Sequence, residues 1–491
     1  MAETRAGSGR GGGWGFPLLL AAAALVQGVL WAILTPPWQA PDEPSHFAYV
    51  QHLYETGTWR PPGRRHPFSR ELARSLRLLH GEAIRHDPDC TFTFTPGEAA
   101  AAERALSRMR ARDRTLRGRG RDRAGHYPPL YYWAGKAGYG LFARADIVHR
   151  LFGVRLAGVF FFACTVFFSA LAARELAGGD GPAARAAACF VLLLPMHGFI
   201  AASANCDALL FAASALFLYL CARLLSRGGG WRLHLAVAAA LGLGLLAKPT
   251  FAPLALLWPL AARPGLRRDG AAPPGRGGRR GRTALLCFMG AVLLVSAVLF
   301  LRYGGVYLRY FDDALEQGAG TPGRSFFAYL GRTFLDLVRP WSKTGKRFYG
   351  SYFADFGWMD TSFPFALYLA AWMCAAAGTV RAALLLRRRA DGPGAAAAGP
   401  LRFALLGAAI QFFAVVVMGY VMAHHYSWGS SGLQGRYLFP ALALHGVILA
   451  RGLVASWRTE AARLRAARIL VLVLVFWQFA SFARVFARYY C

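Results

Sequence analysis

Apolar runs of roughly 20 residues, the length of a helix that crosses a bilayer, recur along the chain. The first runs from Phe16 to Leu34 and ends at Thr35-Pro36-Pro37. Because no small-residue cleavage site follows it, we predict an uncleaved anchor and not a signal peptide. Further predicted spans are 151–173, 184–204, 207–225, 283–301, 362–386, 401–423, 437–455 and 468–487.

The apolar stretch from Leu233 to Ala262 is different because Lys248, Pro249 and Pro253 interrupt it. Proline removes a helical hydrogen bond, so we expect two short helices that meet near Lys248. The complete pattern predicts an all-α integral membrane protein of about eleven transmembrane helices, forming one domain over residues 1–491.

Arginine in the short connections predicts the orientation of the chain. If the N-terminus is cytoplasmic and the C-terminus is outside, these connections fall on the cytoplasmic side. The two long loops, 36–150 and 302–361, are then extracytoplasmic, and long loops cross the membrane regardless of their charge. Arginine occurs in the connections at 174–185, 223–232, 263–282, 387–389 and 458–468, whereas 196–207 and 423–435 contain no Lys or Arg.

The first long loop contains two segments that favour helices. An apolar stripe runs from Pro44 to Gly57, and an aromatic segment runs from Pro129 to Phe142. Each predicts a helix that lies at the membrane surface. Between them, residues 104–123 are rich in Arg and poor in apolar side chains, so we expect a mobile strap there.

Composition excludes a soluble protein. The chain is 56% hydrophobic and only 16% charged, with a net charge of +31. Its basic residues fall between apolar spans and not on one polar domain, so a soluble nucleic-acid binder is excluded and no nucleic-acid partner is expected. The eight cysteines show neither a CxxC pair nor the Cys/His spacing of a zinc site.

Asp42 and Glu43, with His46 after them, follow directly on the first span. Adjacent carboxylates at a membrane surface suit a general base, ligands for a divalent cation such as Mg²⁺ or Mn²⁺, or both. If a metal is bound, these three residues are its predicted ligands. The alternative is that one carboxylate caps the helix that begins near Pro44.

His126 and Tyr127 stand at the far end of the same loop, next to two prolines that hold the turn rigid. We assign them to the binding of a phosphate, although a lone loop histidine is more often exposed. Asn205 and Asp207 lie where two spans meet on the outer side and are candidate substrate-binding residues. Asp207 also suits a helix cap.

Two cations are stronger candidates. Lys248 sits at a helix break between apolar segments, and a charge inside a membrane marks a functional site by default; snorkelling to the interface is the alternative. Arg436 is the only cation at the outer end of its span, where a guanidinium can bind a phosphate through two hydrogen bonds. Generic headgroup contact is its alternative. Gln434 and Tyr437 flank Arg436 and are assigned to the substrate.

The second long loop contains the aromatic segment 353–360, which includes Trp358 and Asp360. We assign these two residues to substrate binding. The preferred alternative is an interfacial aromatic belt with ordinary polar loop residues.

Carboxylates, a buried lysine and an interfacial arginine suit a lipid-linked phosphosugar, because its phosphate leaves as an anion and the acceptor hydroxyl needs a base. The expected reaction is attack of that hydroxyl on the anomeric carbon, with Asp42 or Glu43 as base and Arg436 and Lys248 stabilising the leaving phosphate. A single displacement would invert the anomeric centre.

Six motifs in this order, PDEPSHF, HYPPLYYW, ANCDALLF, LLAKPTF, FGWMD and QGRYLFP, resemble the bacterial GT-C membrane glycosyltransferases. The resemblance runs over nearly the whole chain and is nearest to a branch of predicted envelope proteins with DEPxH and GRYxxP signatures. It implies a polyprenyl-phosphate-sugar donor, an envelope glycan or lipid acceptor, a catalytic acid at Asp42 or Glu43, two interfacial helices in the first loop, and a location in the bacterial inner membrane.

Two other functions remain open at this point. A transporter or flippase for an anionic lipid-linked sugar would use Arg436 and Lys248 without chemistry, but it gives no reason for so long a first loop. An envelope polymer ligase usually carries its key Arg and His residues in a later outer loop, whereas here the polar motifs are spread over several.

Overall fold

The computed structural model describes residues 13–58, 66–87, 89–122, 124–262, 290, 326–390, 398–425 and 433–491. These residues are mostly helical, with two small two-stranded sheets, so the all-α expectation needs only this correction. In the first part of the chain the helices are α1 (Gly15–Leu34), α2 (Glu43–Thr56), α3 (Arg70–Leu78), α4 (Gly81–His86), α5 (Pro96–Ser107), α6 (Leu130–Leu141), α7 (Ile147–Ala177), α8 (Pro182–Leu193), α9 (Pro195–Ala201), α10 (Asp207–Arg227), α11 (Trp231–Ala247) and α12 (Leu257–Ala262).

The later part of the chain continues the bundle. Its helices are α13 (Phe326–Val338), α14 (Lys343–Phe353), α15 (Phe365–Ala390), α16 (Ala398–His425), α17 (Leu442–Leu453) and α18 (Glu460–Tyr490). Strands β1 (Pro67–Ser69) and β2 (Arg117–Arg121) form one sheet, and β3 (Asp355–Phe356) and β4 (Thr361–Ser362) form the other; 3-10 helices occupy Ala111–Arg114, Ala124–His126, Pro249–Leu256 and Gly435–Ala441.

Six of the described helices are long and apolar enough to cross a membrane, and α8 with α9 adds a seventh if this pair, bent by 52°, is one span. The predicted total of eleven is therefore not reached in the described residues. The predicted span 283–301 lies outside the described residues except for residue 290, and the predicted span 437–455 is a 3-10 turn followed by the 12-residue α17. The six are Gly15–Leu34, Ile147–Ala177, Asp207–Arg227, Phe365–Arg387, Ala398–Tyr420 and Glu460–Tyr490.

The break expected near Lys248 is present. Helix α11 ends at Ala247, Lys248 is extended (φ −164°, ψ 136°), and a 3-10 helix begins at Pro249. The prolines prevent a continuous α-helix because they lack the N–H that the helical ladder needs. Lys248 is thereby held between two apolar segments.

Both segments of the first loop that were predicted to be helical are helices. Helix α2 ends at Thr56 and is followed by Gly57, whose φ of 71° is accessible to glycine without strain, and α6 begins directly after Pro129. Their aromatic faces pack together, with the rings of Tyr49 and Tyr132 stacked at 3.9 Å. Gly138 lets α6 approach α7 so closely that a Cβ at this position would lie 2.1 Å from the carbonyl oxygen of Gly153.

The expected mobile strap is wrong for the described residues of 104–123. This segment contains the end of α5, a 3-10 turn and β2, which pairs antiparallel with β1. Hydrogen bonds between paired strands satisfy the backbone groups without any need for apolar side chains. The composition of this segment therefore did not reveal its structure. Arg114 also anchors the turn by donating to Glu55 at 3.3 Å and to the carbonyl oxygen of Ala143 at 3.1 Å.

The two long loops meet the end of α18 at one end of the bundle. The indole of Trp358 donates to the carbonyl oxygen of Trp38 at 3.2 Å, which joins the second loop to the first. Arg488 forms an ion pair with Asp360 at 3.4 Å, and the Tyr490 hydroxyl donates to the carbonyl oxygen of Leu34 at 3.1 Å. This end of the bundle contains the predicted site residues.

Candidate active site

Five motifs that are far apart in the sequence converge at the end of the bundle where the two long loops meet. The Lys248 ammonium lies 2.6 Å from the carboxylate of Asp207 and stands over the rings of Tyr127 and Tyr437, at 5.1 and 5.9 Å from their centroids. Arg436, next to Tyr437, has its Nη2 atom 4.0 Å from an oxygen of Asp42. The first loop thus lies against the helix break at Lys248 and against residues 435–437, called the GRY segment here.

Asp42 is held in the left-handed region of the backbone, with φ 62° and ψ 2°. It occupies the N-cap position of α2, but its side chain makes no capping hydrogen bond and is 51% exposed. Simple helix capping therefore does not explain this residue. Its carboxylate is accessible beside a cation, in a conformation that non-glycine residues seldom adopt.

Glu43 has a different environment from its neighbour. It is fully buried and accepts two hydrogen bonds from Arg155, at 2.8 and 2.6 Å. The backbone N–H groups of Trp38 and Ala204 donate to it as well, at 3.1 and 3.2 Å. All its acceptor capacity is used inside the protein, so Glu43 holds the first loop against α7 and the segment that follows α9.

His46 lies between two tyrosine rings. Its Nδ1 atom is 2.9 Å from the hydroxyl of Tyr132, and its ring stacks on Tyr127 and Tyr132, with centroids 5.7 and 5.9 Å apart. Burial lowers the pKa of His46 to about 4, so the imidazole is neutral at pH 7. Burial likewise raises the pKa of Tyr127.

The predicted metal set does not converge. Glu43 is committed to Arg155, which leaves Asp42 and His46 without a third ligand. No group of three His, Cys, Asp or Glu side chains in the described part of the chain is arranged to hold a metal ion. Metal dependence stays a prediction, without a fitting set of ligands.

Asp207 binds Lys248 and does not cap its helix. Its neighbour Asn205 provides the local cap instead, since the Asn205 Oδ1 atom accepts from the Asp207 N–H at 3.0 Å. Lys248 is 9% exposed, so it does not snorkel to the surface. A buried lysine of this kind is tolerated because the carboxylate and the two aromatic faces compensate its charge.

Arg436 is 5% exposed, and its Nε and Nη1 atoms have no hydrogen-bond partner within the described residues. Generic headgroup contact does not require such burial. The buried Oε1 atom of Gln434 likewise lacks a partner there. Unpaired polar atoms in a buried position are costly, which is typical of a site completed by a ligand.

Helix α14 fixes the GRY segment. The Ser351 hydroxyl accepts the N–H of Gly435 at 2.8 Å, and a Cβ at Gly435 would lie 2.3 Å from the carbonyl oxygen of Phe348. Only glycine fits this approach. The backbone before Arg436 is consequently held by direct contact with α14.

A known protein family matches most of the chain, including the residues that converge at this site. The family described as predicted membrane protein, DUF2142, matches residues 25–445. The chain belongs to the DUF2142 family. The match includes Asp42, Asp207, Lys248 and Arg436, and it agrees with the apolar helices in making this an integral membrane protein.

Solved structures with a similar course of the chain are oligosaccharyltransferases of Archaeoglobus fulgidus. The apo form gives a TM-score of 0.47 at 14% identity, and the complex with an inhibitory peptide and a dolichol-phosphate gives 0.42 at 15%. Each covers 96% of this DUF2142 chain, which spans only 56% of theirs. No curated protein matches the chain.

Trp358 and Asp360 are placed away from the converged group. Trp358 donates to Trp38 and lies under the guanidinium of Arg85, 3.7 Å from its ring centroid, whereas Asp360 pairs with Arg488. Neither forms a hydrogen bond or ion pair with Lys248 or Arg436 in the described structure. In this DUF2142 chain, Trp358 and Asp360 join the two long loops to each other and to α18.

The side chain of His126, the remaining predicted phosphate-binding residue, lies outside the described part of the structure.

Sequence reasoning missed Arg155, although a signal was present. Arg155 lies inside the predicted span 151–173, where a charge is expensive unless it is paired. It donates to Glu43 and also to the carbonyl oxygens of Ala32 and Thr35, at 2.8 and 2.6 Å. A search for charges within apolar runs would have found it.

Proposed function

We propose that this protein is a membrane glycosyltransferase of the GT-C type that moves a sugar from a polyprenyl-phosphate donor to an envelope glycan or lipid acceptor. The observation that carries this proposal is the relationship between Arg436 and Asp42. A buried guanidinium with two unpaired nitrogen atoms lies 4.0 Å from an accessible carboxylate. One group suits an anionic leaving group, and the other suits the proton of an acceptor hydroxyl.

The reaction is a single displacement. The acceptor oxygen forms a bond to the anomeric carbon while the bond between that carbon and the phosphate oxygen breaks. The electron pair leaves with the polyprenyl phosphate, and Asp42 takes the hydroxyl proton. Because attack and departure occur on opposite faces of the sugar, the anomeric configuration inverts.

Arg436 and Lys248 stabilise the charge that develops on the leaving phosphate. Asp207 keeps Lys248 charged and in place at 2.6 Å. Neutral His46 and Tyr127 form an aromatic wall beside them, and Gln434 is placed to contact a sugar hydroxyl. The steps proposed here use only protein side chains. If Mg²⁺ or Mn²⁺ takes part, it would have to bind together with the substrate, because Asp42 is the accessible carboxylate at this site.

The site is proposed to face the extracytoplasmic side of a bacterial inner membrane, with the N-terminus in the cytoplasm. Arginine-rich short connections support this orientation. Asp42 and Arg436 stand at the end of the bundle where the two long loops gather. A lipid-linked donor in the outer leaflet would reach them without leaving the membrane.

The test is release of polyprenyl phosphate by the purified full chain in lipid nanodiscs, given a panel of polyprenyl-phosphate sugars and crude envelope glycan. We expect turnover by the wild type and a loss of roughly 10²–10⁴-fold in Asp42→Asn, the range for removal of a general base. Asp89→Asn, at an exposed carboxylate of the same loop, is the matched control and keeps turnover.

Arg436→Lys separates charge from geometry, because lysine keeps the charge but loses the two-pronged donor. We expect turnover to fall while folding is retained. If no donor is turned over although a polyprenyl-phosphate sugar binds in an Arg436-dependent manner, the glycosyltransferase proposal fails and a transporter takes its place.

A further inference from the structure

A cavity of about 200 Å³ lies in the first loop, apart from the site around Asp42. It is formed by α2, the strand pair β1 and β2, and the 3-10 turn before β2. A cavity of roughly 150 Å³ can hold a six-membered ring. The space is therefore sufficient for one sugar ring.

The walls of this cavity are mostly polar and basic, with Ala48, Pro67 and Phe68 as the apolar part of the lining. The described residues that line it include no carboxylate, although Arg114 is neutralised by Glu55 nearby, at 3.3 Å. Arg117, in contrast, is exposed and forms no ion pair with any described residue. The polar lining residues are Gln51, His52, Thr56, His66, Ser69, Arg114, Thr115 and Arg117.

The cavity and the site around Asp42 share helix α2. Successive residues of a helix are turned by about 100°, so His52 projects about 120° around α2 from His46. Ten residues separate Asp42 from His52, a distance of about 15 Å along the helix axis. A molecule that occupies both places must pass around α2.

A buried polar network that includes two lining residues, Gln51 and Ser69, holds the cavity in a fixed position. Gln51 accepts from the hydroxyl of Ser69 at 2.6 Å and donates to Glu71 at 2.7 Å. Glu71 accepts in turn from Arg150, which is fully buried at the start of α7. The lining is thus fixed to the membrane helix α7. Binding sites that are held by rigid elements keep a more precise geometry than sites on loops.

We propose that this cavity binds an anionic sugar unit of the acceptor glycan, about 15 Å from the hydroxyl that reacts. Hydroxyl and imidazole groups suit the hydroxyls of a sugar, and Arg117 suits its carboxylate or phosphate. This inference rests on the proposed function. It makes the acceptor an acidic polymer of several sugar units, long enough to reach from the cavity to Asp42.

Binding of tetragalacturonate to the full chain in neutral-lipid nanodiscs tests this assignment. We expect saturable binding, about tenfold weaker in Arg117→Gln, where one charge-assisted contact is lost. Arg119→Gln is the matched control, since Arg119 lies on the same strand and does not line the cavity, and it keeps the affinity of the wild type. Neutral maltotetraose binds at least tenfold more weakly than tetragalacturonate.

Equal weakening by Arg117→Gln and Arg119→Gln would overturn the assignment, because only general charge would then matter. Competition by inorganic phosphate at the concentration of the tetramer, or by phosphatidylglycerol in the nanodisc, would replace the sugar with a simple anion or a lipid headgroup. Asp42→Asn is expected to keep tetragalacturonate binding while losing turnover. If the protein turns over a donor but does not bind tetragalacturonate, the assignment of the cavity is wrong and the proposed function stands. If it binds tetragalacturonate but turns over no donor, the proposed function is wrong.

Discussion

Glu43 and Arg155 form a buried ion pair, with two hydrogen bonds of 2.6 and 2.8 Å, directly beside the accessible carboxylate of Asp42. Arg155 comes from α7, and its remaining donors bind the backbone at the end of α1. The pair therefore fixes the point where the first loop leaves the membrane helices. Asp42 is positioned by its neighbour.

The first prediction concerns the stability that this pair provides. Glu43→Gln leaves Arg155 as a buried charge without its counterion and should reduce the free energy of unfolding by about 3–5 kcal/mol. Thermal unfolding of the purified protein measures this loss. Asp42→Asn, with its half-exposed side chain, should change stability by less than about 1 kcal/mol. Equal destabilisation by the two substitutions would show that Glu43 is not the structural member.

The second prediction separates charge balance from function at Lys248. Asp207→Asn and Lys248→Met each leave one buried charge unpaired, and each should cost about 3–5 kcal/mol of stability. The double variant removes both charges and should recover much of that loss, because coupled sites are not additive. It should stay inactive in the polyprenyl-phosphate release assay. Recovery of turnover would exclude Lys248 from phosphate binding.

The third prediction concerns the support of Arg436. Gly435→Ala places a methyl group 2.3 Å from a backbone oxygen of α14, so the segment that carries Arg436 must move. A displacement of about 1 Å can cost 10²-fold in rate, and we expect a loss of that order. Gly97→Ala is the control, because Gly97 has open space around its Cβ position. Unchanged turnover in Gly435→Ala would mean that the position of Arg436 does not matter.

The fourth prediction is a pH dependence from His46. Its pKa is about 4 in the folded protein against 6.5 as the ordinary value, so only the unfolded state gains a proton between these values. Stability should fall as the pH decreases from about 6.5 to 4, by roughly 3 kcal/mol in total. Apparent melting temperatures at pH 7.5 and 5, compared between wild type and His46→Asn, measure this contribution. The same pH dependence in both proteins would contradict it.

The fifth prediction has the opposite sign. Asp355 is buried on β3, and burial together with the nearby charge of Asp360 raises its pKa from 3.8 to about 7. The folded protein keeps this proton while the unfolded chain loses it, so stability should fall as the pH rises from about 4 to 7, by roughly 4 kcal/mol. Asp355→Asn should abolish this dependence. If the variant loses stability with rising pH as the wild type does, Asp355 is ionised in the folded protein.

Local features of the sequence were sufficient for much of the fold. Apolar length predicted the long membrane helices, two prolines predicted the break at Lys248, and turn residues predicted the bounds of α2 and the start of α6. Each of these features depends on residues that lie within about one helical turn of one another, and the linear order of the sequence contains such short-range relationships. The prediction of a mobile Arg-rich strap was wrong because β2 forms by pairing with β1, which is distant in the sequence, and a linear pattern does not contain such a contact.

The roles of adjacent carboxylates were beyond the sequence, because Asp42 and Glu43 have almost identical chemistry and the same local pattern. Only the tertiary structure sends Glu43 inward to Arg155, 112 positions further along the chain, and leaves Asp42 beside Arg436. The pairing of Lys248 with Asp207 is likewise decided by how α10 packs against the helix break. The sequence by itself determined which charges must be satisfied near the membrane. The tertiary structure decided which partner satisfies each one, because that choice depends on distances between segments that the linear order does not contain.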